Sequence, residues 1–115
     1  MDNLLLGCSG WNYPDPADKG GWTGAFYSDS QTRRLAFYSK FFNTAEMDST
    51  FYERFFSQMT KGTFYGMVKA TPENFQFSIK VPETVTHKTR LTVENGAIAH
   101  LQEFLDKISP VKTAN

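Results

Sequence analysis

Glu46 and Asp48 lie two positions apart in "NTAEMDSTFY" (43–52) and are the residues here whose types most plainly suit chemistry. The run around them is otherwise uncharged, apolar or hydroxyl-bearing. It is too aromatic for a plain surface loop and too acidic for a plain core strand. One such carboxylate can act as a general base. Lys80, which ends "NFQFSIK", can be its electrostatic partner for an anionic substrate. Two carboxylates can also hold a divalent metal, with further ligands from elsewhere. His87 in "ETVTHKTRL" titrates near neutrality and suits acid–base work or metal ligation. Structural readings stand beside these: Glu46 and Lys80 can pair to fill a polar interior, and His87 can bond within its loop. His100, in "AIAHLQEF", reads as an ordinary helix-face histidine.

Residues with binding character follow the same strands. Ser9 closes the first apolar run, and Trp11 and Tyr13 come directly after it. Phe51 and Tyr52 come after the second. Aromatics around a polar centre suit a sugar, a base or another ring, although for Phe51 packing of the loop is the better reading. Ser9 lacks the Gly-x-Ser-x-Gly surroundings of a nucleophile elbow. "GCSGWNYPDPADKGG" has neither the Gly-Lys-Ser/Thr ending nor the spacing of a phosphate loop.

The elements that must position these residues can be read from pattern. "LLLGCSGW" (4–11) is a short apolar run suited to a buried strand. The Pro, Gly and Asp of "NYPDPADKGGWTG" make a loop. "SDSQTRRLAFYSKFF" predicts a helix capped by Ser28 or Ser30, with Leu35, Tyr38 and Phe42 on one side and Asn43 at its end. "TAEMDSTFY" predicts a second strand, so Glu46 and Asp48 share one face while Ala45 and Met47 face the helices. "SQMTKGTFYGMVKATP" predicts a helix with Phe64, Met67 and Val68 inward, ended by Pro72. "NFQFSIKVP" alternates as a third strand, with Phe75, Phe77 and Ile79 opposite Gln76, Ser78 and Lys80. "ETVTHKTRL" reads as a polar loop. "NGAIAHLQEFLDKIS" predicts a helix buried along Ile98, Leu101, Leu105 and Ile108, with Phe104 beside them and Pro110 ending it.

The order β-α-β-α-β-α implies an α/β fold with parallel strands joined by right-handed crossovers. The third strand would be a bare edge, and the chain stops after a helix where another strand is expected. We therefore expect an N-terminal fragment of a longer protein.

The chain has 115 residues, enough for one domain with a real core. Its 12 Lys and Arg balance 12 Asp and Glu, which is no footprint for wrapping nucleic acid. The lone cysteine, Cys8, cannot form a disulfide within the chain, which suits a reducing compartment. "MDNLLLG" lacks the basic region of a secretory signal. No apolar run approaches the ~20 residues of a membrane helix. The expectation is a soluble cytoplasmic protein.

The blocks "GCSGWNY", "WTGAFY", "FNTAEMDSTFY" and "TPENFQFSIKVPETVTH" resemble, in order and spacing, those of the YecE-like family, domain of unknown function 72. The resemblance covers nearly the whole chain. "PDPADKGG" departs from it by lengthening the loop between Tyr13 and Trp22. It implies a TIM-barrel-like (β/α) fold, of which residues 1–115 would hold the first three βα units. In such a barrel the site lies at the C-terminal strand ends. Glu46, Asp48, Lys80 and His87 would then be the catalytic candidates, and Ser9, Trp11, Tyr13 and Tyr52 the substrate-binding ones. The expected activity is acid–base or metal-assisted hydrolysis or lysis of a small molecule or nucleotide. Two alternatives stand: a nucleic-acid-binding or repair-like protein, hinted at by Lys88 and Arg90 in "VTHKTR", and an inactive fragment.

Overall fold

The computed structural model of the chain describes residues 4–88, 92 and 96–113. Three parallel strands form one sheet in the order β1 (Gly7–Ser9), β2 (Thr44–Met47), β3 (Gln76–Ile79). The helices are α1 (Arg34–Tyr38), α2 (Glu53–Phe56), α3 (Lys61–Lys69), α4 (Ala97–Lys107) and α5 (Ser109–Thr113). The α/β class and the parallel pairing agree with the expectation from pattern.

Alternation along the strands divides the sheet into two unlike faces. Ala45 and Met47 are buried, and Cys8, Phe77 and Ile79 are half-buried beside them. They meet two apolar clusters. One joins Met47 to Phe56 of α2, Phe64 and Met67 of α3, Phe104 of α4 and Val111 of α5. The other joins Ala45 to Tyr38 and Phe75, with Trp11, Trp22 and Phe26 packed against them. The opposite face carries Gly7, Ser9, Thr44, Glu46, Gln76 and Ser78, and all of these but the half-buried Thr44 are exposed. Burying Phe64 completely contributes about 1.5–3 kcal/mol, so the helix-facing side supplies the stability and leaves the polar side free.

Two residues set how closely β1 and β2 approach. Asn43 closes their start: its Oδ1 accepts the Leu6 amide at 2.7 Å and its Nδ2 donates to the Leu4 carbonyl at 2.7 Å. Gly7 lies so near β2 that an added Cβ would stand 1.8 Å from the Thr44 carbonyl oxygen. Any side chain there would force the strands apart.

Several expectations are corrected. The first helix is confined to Arg34–Tyr38, with Arg33 rather than Ser28 or Ser30 at its N-cap. Upstream, Asp29 Oδ1 accepts the Gln31 amide at 2.8 Å, a local turn that competes with helix. The second strand stops at Met47. Ser49–Phe51 then form a 3-10 turn that leads into α2. The segment read as a polar loop forms a π-helical turn at Thr84–Lys88 and buries Val85; residues 89–91 lie outside those described. In α4 the buried face is Ala97 and Phe104, whereas Ile98, Leu101 and Leu105 are exposed. As expected, α4 ends ahead of Pro110, at Lys107; Pro110 then stands in the first turn of the short α5, where an amide would have no intrahelical acceptor and a proline is tolerated.

Candidate functional site at the C-terminal strand ends

The strand register places one carboxylate between two hydroxyl-bearing positions. Ser9 pairs with Glu46, and Glu46 with Ser78, straight across the sheet. All three are exposed on the polar face. Ser78 joins Ser9 and Glu46 by parity alone, so its place was implied by the alternation although it was not among the candidates.

Asp48 does not continue that row. Its backbone turns into helical space (φ −98°, ψ −12°) as the chain leaves β2 for the 3-10 turn. Side-chain alternation ends with the extended backbone, so the two acids part. Asp48 instead lines a cleft of about 350 Å³ at the C-terminal ends of β1 and β2. Trp11, Asn12, Tyr13, Ser49 and Met59 line the same cleft.

Its wall is held by hydrogen bonds from neighbouring side chains. The Tyr13 hydroxyl donates to the Ser9 carbonyl. That closeness depends on Gly10, at φ +92°, where an added Cβ would stand 2.7 Å from the Tyr13 hydroxyl oxygen. The Tyr27 hydroxyl donates to the Trp11 carbonyl. Arg34 Nε donates to Asn12 Oδ1 at 2.6 Å. Trp11 meets Phe77 edge-on at 6.0 Å, which ties the cleft to the sheet. Burial of Tyr27 pushes its hydroxyl pKa up to about 12, although the nearby Arg34 cation pulls the other way. It therefore stays a donor at ordinary pH.

The remaining candidates are spread along the rim. Lys80 Nζ stands over the Phe51 ring, 4.6 Å from its centroid. Among the described residues it makes no ion pair with Glu46 or Asp48; the ion pair seen is Lys61–Asp106 at 3.2 Å. Tyr52 lines a separate opening with Glu53, Arg54, Ser57 and Glu83. The His87 side chain lies outside the described residues, as does Arg90 and the Lys88 side chain. Among the described residues, no three His, Cys, Asp or Glu side chains gather as a metal site would require. Gly10, Asn12, Met47, Ser49 and Met59 were missed as lining residues. Asn12 and Ser49 adjoin candidates in sequence and were within reach of it, but Met59 arrives through the fold alone.

Residues 5–115 match the model of a family described as "Protein of unknown function DUF72". The chain belongs to the DUF72, or YecE-like, family. The match spans all the blocks that carried the resemblance, and so covers the cleft and the polar sheet face of this DUF72 chain together. No curated protein and no solved structure matches it. No helix among the described residues is long and apolar enough to cross a membrane.

Proposed function

We propose that this DUF72 chain contributes a small-molecule site with acid–base chemistry, built at the C-terminal ends of a TIM-barrel-like sheet. Support for the barrel comes from consecutive parallel strands with helices against one face and a polar opposite face. Support for the site rests on one observation: a carboxylate, Asp48, stands at the wall of a cleft that also holds aromatic and neutral polar groups. In this reading Asp48 accepts a proton from bound substrate or water. The reaction is hydrolysis or a lyase-type elimination. A reducing, cytoplasmic setting fits the lone Cys8.

The test is a substrate panel of small esters, glycosides and nucleotides, comparing the unaltered chain with Asp48→Asn. Removing a general base lowers turnover by about 10²–10⁴-fold, while Lys40→Met, at the opposite, N-terminal ends of the strands, leaves turnover intact. Equal turnover in Asp48→Asn overturns the assignment.

A further inference from the structure

The cleft has an unusual balance of chemistry. Among its described lining residues, the single formal charge is the Asp48 carboxylate. The other side chains are aromatic (Trp11, Tyr13), thioether (Met47, Met59) or neutral and polar (Asn12, Ser49). No described cation pairs with Asp48. Lys80 is seated on the Phe51 ring, and Arg34 is engaged by Asn12 Oδ1. An anionic ligand would meet an uncompensated carboxylate there. A hard metal cation prefers several charged oxygen ligands; the described lining offers one carboxylate, and no three His, Cys, Asp or Glu side chains gather among the described residues. An ammonium group would find the carboxylate for its charge, and rings for its alkyl groups and its field. The cleft volume, about 350 Å³, falls within the range of about 300–1,000 Å³ common for small-ligand sites.

Resting on the reading of this cleft as a small-molecule site, we propose that it selects organic cations: alkylated amines or quaternary ammonium compounds rather than phosphorylated ligands. Asn12 and Ser49 would hold a hydroxyl or carbonyl on the same ligand.

The full 115-residue chain is titrated with choline, with its uncharged carbon isostere 3,3-dimethyl-1-butanol, and with adenosine monophosphate. Binding is followed by tryptophan fluorescence and by the indole Nε1–H resonance of Trp11. Choline is expected to bind about five- to tenfold more tightly than the isostere, the combined worth of an exposed ion pair and a cation–ring contact. Asp48→Asn should lower that ratio by removing the ion-pair share, leaving the cation–ring share of about two- to fivefold, and Asp48→Glu should restore part of the difference. Asp48 is exposed and its side chain makes no capping hydrogen bond, so both variants should keep the parent unfolding midpoint. Equal binding of choline and the isostere overturns the cation inference and leaves the cleft as a ligand site. Tighter binding of the nucleotide overturns it in favour of an anionic substrate. No response of the Trp11 resonance to any of the three overturns both the inference and the reading beneath it.

Discussion

The hydroxyl of Tyr38 accepts the backbone amide of Cys8 at 2.7 Å. The same oxygen donates to the Thr44 carbonyl at 2.8 Å, so a helix side chain bridges β1 to β2. Tyr38 is fully buried, with its ring stacked on Phe42 at 4.7 Å. Tyr38→Phe keeps the stack and orphans two strand groups. The expected cost is about 1–3 kcal/mol, read as a lower midpoint in urea unfolding. An unchanged midpoint would mean that Cys8 and Thr44 find each other directly.

Alkaline pH should weaken the fold through the same kind of group. Burial raises the Tyr27 hydroxyl pKa to about 12, and that of Tyr38 upward as well. An unfolded tyrosine titrates near 10. Between these values the folded chain holds more protons than the unfolded one, so stability falls as pH rises. It should be level below about pH 10 and decline toward about 12. Tyr27→Phe lowers stability at every pH by removing the bond to the Trp11 carbonyl, but its alkaline slope should be shallower. Unfolding midpoints measured across that range separate the two effects.

Thr50 couples the end of β2 to the end of β3. It is fully buried, and its hydroxyl is 2.6 Å from the Lys80 carbonyl oxygen and 3.3 Å from that of Met47. Thr50→Val preserves shape and removes the donor. A loss of about 1–2 kcal/mol is expected. Hydrogen exchange at the Lys80 amide, which donates to the Met47 carbonyl at 3.0 Å, should quicken by more than amides of α3. Uniform quickening would show that Thr50 acts on global stability alone.

The burial of α4 can be tested by paired substitutions. Phe104 is 3% exposed, and its ring lies 5.6 Å from that of Phe56. Phe104→Ala should cost about 3 kcal/mol or more. Leu105, 52% exposed, should tolerate Lys within about 0.5 kcal/mol. The reverse outcome would put the buried stripe on Ile98, Leu101 and Leu105.

That helix shows where sequence reading stops. Ile98, Leu101, Phe104 and Leu105 form an apolar arc too broad to choose its own centre. What the arc packs against makes the choice: Phe56 receives Phe104, while Lys107 donates to the Phe56 carbonyl at 3.1 Å and covers its ring at 4.2 Å. Asp48 is a parallel case. Alternation predicts its face correctly for as long as the strand lasts, and the strand lasts one residue less than needed.

By itself the sequence determined what is local. Phe75, Phe77 and Ile79 alternate because extended backbone puts every second side chain on one face, and the same parity sets Glu46 level with the polar side. Phe64 and Met67 share a helix face for the corresponding reason at helical period. Tertiary structure decided which groups meet. The registers that align Ser9, Glu46 and Ser78, the seating of Lys80 on Phe51 and the gathering of Asp48 with Trp11 and Met59 all depend on contacts between segments distant along the chain. Their energies come from packing and hydrogen bonds that no short window of sequence contains.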